Sequence, residues 1–194
     1  MNILIVYQSK LGSVKKMARL IARGVESVNG CHAVVRTVAD VSTSLTGVEE
    51  SDTDDLLVEL DDLANCDGLI LGSPTRFGNM SASIKHFLDG TSSLWMSGAL
   101  IGKPAGVFTS SSSMHGGQES TLLSMMIPLM HHGMVITGIP YSEPALSKTS
   151  TGGSPYGASH VAGANNNKPI SDDEKALCIA LGKRIATLSV QLNG

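Results

Sequence analysis

Apolar positions along the chain fall into two rhythms. Ile3-Leu4-Ile5-Val6-Tyr7 is an unbroken apolar run and Leu69-Ile70-Leu71 a shorter one with the length of a strand buried on both faces, and Ala33 to Val38, Pro104 to Phe108 and Met134 to Ile139 read as further strands. Between them the spacing lengthens to that of a helix. Val14, Met17, Ala18, Ile21, Ala22 and Val25 line one face of a segment that stops near Asn29-Gly30. Asp55 to Ala64 predicts a short acidic helix with Leu56, Leu57, Leu60, Leu63 and Ala64 inward, and Ser81 to Asp89 another. Glu119 to His132 predicts a third, with Leu122, Leu123, Met126 and Leu129 inward and His131-His132-Gly133 closing it. Ser171-Asp172-Asp173-Glu174 is a capping box opening a last helix with Leu177, Leu181, Ile185, Leu188 and Leu192 on its inner face. Asp40 to Asp54 reads as a polar surface loop, and Pro140 to Asn167, rich in Gly, Ser, Pro and Asn, as a long one.

Strands alternating with helices imply a parallel sheet with right-handed crossovers. The expected architecture is α/β: a doubly wound, five-stranded flavodoxin-like sheet in the order 2-1-3-4-5, helices on both faces. Residues 1–194 would form a single domain, with long loops at about 90–103 and 140–168.

In such a sheet every strand ends on one edge. Three loops therefore meet there: 8–13, 74–80 and 109–117. The order reverses beside the first strand, where such sheets bind ligands. Ser9, Gly12 and Ser13 stand at the start of a helix, where free N–H groups and hydroxyls suit an anion, although a capped helix with a glycine turn reads the same way. Pro74 ends a strand, Gly78 permits a turn and close approach of a ligand, and Phe77 offers a flat ring. Thr109 to Ser113 followed by Met114-His115-Gly116-Gly117 brings small donors and an adaptable backbone. An anion at one end and a polar aromatic ring at the other describe a mononucleotide, most simply FMN.

Composition narrows the class. A net charge of −3 argues against nucleic acid as the main partner, and 16% charged residues leave neutral surface suited to a subunit interface. No run of about 18 apolar residues spans a membrane. The first residues lack the basic region of a signal peptide. Cys31, Cys66 and Cys178 are scattered, which fits buried thiols in a reducing cytoplasm. Gly98, Gly102 and Lys103 fail as a Walker loop, because the spacing is short and a strand follows them. His131 and His132 diverge on a helix end, so no metal site is expected there. Trp95 in a polar segment reads either as a pocket wall or as core. Arg76 reads as a tuning charge or a surface ion pair, and His131 as a site residue or a helix cap.

Five motifs in order carry a resemblance: Pro74-Thr75-Arg76-Phe77-Gly78-Asn79-Met80, Leu94-Trp95 with Ser97-Gly98-Ala99-Leu100, Gly116-Gly117-Gln118-Glu119, His131-His132-Gly133-Met134-Val135 and Pro155-Tyr156-Gly157-Ala158. The chain resembles the WrbA-type NAD(P)H:quinone oxidoreductases over nearly its whole length. That resemblance implies FMN held by Ser9, Lys10, Leu11, Gly12, Ser13 and Val14, by Thr75, Arg76, Phe77, Gly78 and Asn79, by Ser110, Ser111, Ser112, Ser113, Met114, His115 and Gly116, and by His131. It implies Trp95 beside the place where nicotinamide or quinone stacks, and a homotetramer. Leu11 stands where the family commonly carries tyrosine. The implied activity is two-electron reduction of quinones by NADH or NADPH, ping-pong through one pocket. The alternative is a flavodoxin-like electron carrier without NAD(P)H turnover.

Overall fold

The structure, a computed structural model, describes residues 1–41 and 54–193. In chain order it comprises β1 Asn2–Tyr7, α1 Ser13–Glu26, β2 His32–Thr37, α2 Leu60–Ala64, β3 Gly68–Pro74, α3 Ala82–Asp89, α4 Ser92–Ser97, β4 Pro104–Ser111, α5 Gln118–His131, β5 Val135–Ile136, α6 Ala145–Lys148, β6 Ala158–Val161 and α7 Asp172–Asn193. The sheet runs β2-β1-β3-β4-β5, all pairs parallel. This is the order expected from the hydrophobic runs.

β1 shows why both faces are covered. Ile3, Ile5 and Tyr7 point into one core with Val14, Met17 and Ile21 of α1 and Leu177, Leu181 and Ile185 of α7. Leu4 and Val6 point into a second core with Leu63, Ile84 and Leu88 from α2 and α3, and with Leu122, Met125 and Leu129 from α5. Alternation of side chains along a strand demands this double wrapping when every residue is apolar. α1 and α7 approach closely because Gly24 and Gly182 face backbone: a Cβ on Gly24 would lie 2.1 Å from Ile179 O, and one on Gly182 2.1 Å from Ile21 O.

The fifth position of the sheet departs from expectation. It is built from two pieces rather than from one strand over 134–139. β5 pairs with the amino half of β4 (Pro104↔Val135, Ala105↔Ile136), and β6 with the carboxyl half, from Phe108↔Ala158 to Ser111↔Val161. The region expected as one long loop after Pro140 thus contains α6 and a sixth strand. β6 reads Ala-Ser-His-Val and is wholly buried. Its polar residues are satisfied from a distance: the Ser159 hydroxyl accepts from Gly153 N at 2.7 Å, and His160 Nδ1 pairs with Glu174 Oε2 at 2.9 Å.

Smaller corrections concern the helices. α2 is shorter than expected, because Leu57 forms a parallel bridge to Thr37. Leu56, Leu57 and Leu60 are exposed, and of the expected inward set only Leu63 is fully buried. Leu123 on α5 and Leu192 on α7 also face outward. The polar segment around Trp95 holds α4. Most of the polar loop expected over 40–54 lies outside the described residues. The three cysteines are buried, as their isolation suggested.

Candidate functional site

β1, β3 and β4 are neighbours, so the segments leaving their carboxyl ends converge. Ser9, Lys10, Leu11, Ser13, Val14, Thr75, Arg76, Ser110, Ser111 and Ser112 line one groove of about 140 Å³. Gly12, between the lining residues Leu11 and Ser13, is the residue before α1 and takes the left-handed region at φ 84° with open space where a side chain would stand. The first turn of α1 therefore presents its N–H groups unobstructed. The Ser9 hydroxyl oxygen and Gln8 Oε1 are buried without a hydrogen-bond partner among the described residues. Among those residues no Asp or Glu lines the groove. A helix N-terminus flanked by hydroxyls and free of carboxylates makes an anion site.

The second loop is a tight hairpin. Arg76 N donates to Asn79 O at 2.8 Å and Asn79 N to Arg76 O at 3.0 Å, with Phe77 at φ 52° and Gly78 at φ 75° between them. Two left-handed central residues are the type I′ pattern. Glycine adopts that geometry freely; phenylalanine does so only under constraint. The Phe77 ring lies fully in solvent and does not line the groove. Gly78 packs on the third loop, where a Cβ on Gly117 would come within 2.7 Å of its Cα. Thr75 N donates to Ser110 O at 3.0 Å, and the Thr75 and Thr121 hydroxyls lie 2.5 Å apart.

Ser110 and Ser111, expected in the third loop, are the last residues of β4 and are buried. Ser112, Ser113, Met114 and His115 are exposed and, with the partly buried Gly116, form the loop itself, His115 taking φ 59°. Gln118, which carried no expected role, anchors it from below: its buried Nε2 donates to the Ser111 hydroxyl at 2.9 Å.

Trp95 and His131 are not in this groove. Their rings stack at 5.7 Å and 26° on the wall of a larger cavity of about 690 Å³ between α3, α4 and α5. Asn79 lines that cavity while Thr75 and Arg76 line the groove, so the hairpin separates the two. His132 lies buried beneath. Thr91 gives its hydroxyl proton to Leu88 O at 2.7 Å, so His132 Nε2 donates to Thr91 Oγ1 at 2.8 Å. Burial, then the neighbouring His131, lowers the His132 pKa and keeps the ring neutral. Among the described residues no cluster of His, Cys, Asp or Glu could hold a metal.

One contributor was not legible in the sequence. Gly163, Ala164 and Asn166 close the fourth side of the groove. The run Asn165-Asn166-Asn167 signalled a loop, but nothing marked its partner.

The family model "NADPH-dependent FMN reductase" matches residues 1–144. A protein of Geobacter sulfurreducens named NAD(P)H dehydrogenase (quinone) is 43% identical, over 100% of both chains. One of the same name from Syntrophobacter fumaroxidans is 44% identical over 99% of this chain and 98% of its own. Among solved structures, a flavodoxin, WrbA-like protein from Agrobacterium tumefaciens superposes with a TM-score of 0.69 at 24% identity, covering 98% of each chain. Flavodoxin 1 of Bacillus cereus gives 0.64 at 18% identity over 96% of this chain and 98% of its own. A flavodoxin-like sheet whose first, third and fourth strands deliver an anion-ready groove, and relatives this similar over their full length, make the chain a member of the NADPH-dependent FMN reductase family, on the branch of the NAD(P)H dehydrogenases (quinone).

Proposed function

We propose that the chain is an FMN-dependent NAD(P)H dehydrogenase that reduces quinones by two electrons. The observation that carries the reading is the groove: three loops from neighbouring strands meet over a helix N-terminus, where a serine hydroxyl is buried without a partner among the described residues. The donor set fits a phosphate ester, and the uncommitted hydroxyl and helix amides are what such a group would satisfy. Ser9 to Val14 hold the phosphate, chiefly through the backbone of α1 and the Ser9 hydroxyl. Thr75 to Asn79 and Ser110 to Gly116 flank the ring system, with backbone N–H groups available to offset negative charge on it. Phe77 shields one edge.

Bound FMN supplies the hydride chemistry between a nicotinamide and a quinone. The protein holds it, orients it and limits water. Nicotinamide and quinone occupy one place over the flavin in turn, which predicts ping-pong kinetics; Trp95 and His131, which lie across the hairpin from the groove within one chain, wall that place where two subunits meet.

The chain assembles as a homotetramer with sites near subunit borders. Support comes from α5, which is apolar on two faces. Leu122, Met125, Met126 and Leu129 enter the core, while Leu123, Ile127 and Met130 form an exposed stripe, Ile127 lining the same cavity as Trp95 of α4, where Met96 is exposed too. An exposed apolar stripe opposite the core face points to a second surface covering it. No described helix is long and apolar enough to cross a membrane; a cytoplasmic location is the reading consistent with three free thiols.

The test is anaerobic addition of NADH or NADPH to the FMN-loaded protein. Rapid bleaching of the flavin absorbance, followed by recovery on adding a benzoquinone, is expected. Absorbance that persists would assign an electron carrier instead.

A further inference from the structure

The fourth side of the groove is a strap, pinned at both ends. Ala162 N donates to Ser111 O at 2.8 Å, which extends the β4–β6 pairing by one bond, and Lys168 N returns to Ala162 O at 2.9 Å. Glu174 secures the strap from outside by accepting from Val161 N before it and Ser171 N after it.

Asn166 lies between these anchors at φ 52°. Asparagine is one of the few residues with a side chain that tolerates this conformation. Its carboxamide is aimed at the start of α1. Nδ2 donates to Leu11 O at 2.6 Å, and Oδ1 accepts from the Ser13 hydroxyl at 2.8 Å. The Ser13 hydroxyl is therefore committed to Asn166 and is not the donor that its place in the helix suggests. A carboxamide nitrogen carries two protons. One goes to Leu11 O; the other makes no further bond among the described residues, on a side chain that lines the groove.

We propose that Asn166 is a further phosphate-binding residue, held in place by Ser13 and Leu11 and donating its second Nδ2 proton to the terminal phosphate of the flavin. The inference rests on the FMN reading above and adds a ligand from the far end of the chain, 153 residues from Ser13. A neutral donor on a strap suits this position, because it adds a hydrogen bond to a charged oxygen without adding a second full charge beside Lys10.

The experiment compares FMN with riboflavin, which lacks only the phosphate. The full-length protein, stripped of flavin, is titrated with each by flavin fluorescence, for the wild type, Asn166→Gly and Asn166→Asp. Glycine accepts the backbone geometry and removes the amide; aspartate keeps the acceptor for Ser13 and replaces the donor with a negative charge. Asn166→Gly is expected to weaken FMN about tenfold and Asn166→Asp more, with riboflavin changed by less than about twofold. A wild type that binds both flavins alike overturns the phosphate site and this inference with it. A wild type that favours FMN, with variants that keep its FMN-to-riboflavin ratio, leaves the site standing and removes Asn166 from it.

Discussion

At 1% exposure Glu174 is buried like the leucines of the core, yet its pKa lies below the usual carboxylate range. Burial raises its pKa; the hydrogen bond from His160 and the N–H groups of Ser171 and Val161 outweigh that and bring it to about 2. Gly152 N donates as well, at 2.8 Å. A carboxyl depressed below its unfolded value of about 4.5 contributes stability in full above that pH, and the contribution is lost as the pH falls toward about 2. Glu174→Gln should therefore cost about 3 kcal/mol at neutral pH, because it leaves buried donors without a charged acceptor. Urea unfolding of both proteins through the acid range should show the gap closing as the pH drops. Only one arm of this node was legible in the sequence. Ser171 and Glu174 read as a capping box; the donors from Gly152, His160 and Val161 come from a segment whose pattern announced nothing.

At the scale of elements, the first four strands could be read because each is a short segment built mainly on apolar residues between turn and helix signals. β6 could not. Its burial depends on Glu174 and on a serine hydrogen bond, and neither leaves a mark in hydropathy. The same limit hid the outward stripe on α5, where a leucine that serves a surface looks like one that serves the core. Gly24 and Gly182 are a related case. Glycine inside a helical pattern signals some close approach, but the partner is known only once α1 and α7 are crossed. Each glycine faces a carbonyl of the other helix, which cannot swing aside as a flexible side chain can. Gly24→Ala and Gly182→Ala should each destabilise the protein by about 1–3 kcal/mol despite alanine's better helix propensity. Thermal melts that show either variant at or above the wild type would mean that the two helices are not this close.

For the whole molecule, the low charge content hinted at a neutral surface without saying where it lies. α4 and α5 locate it. Replacing Met96 and Ile127 by glutamate should lower the mass measured by light scattering from four chains toward one or two while far-UV dichroism stays unchanged. A wild type that is already monomeric would end the tetramer proposal. The candidate site was legible in its three strand-end loops and not in the strap that completes it. The divided fifth position of the sheet also has a consequence for synthesis. The chain emerges amino end first, so β4 leaves the ribosome well before the residues that cover its carboxyl half. Until Glu174 has followed and gripped His160, that half is a bare edge open to pairing with a neighbouring nascent chain. Translation slowed between β5 and α7 lengthens the interval of greatest risk.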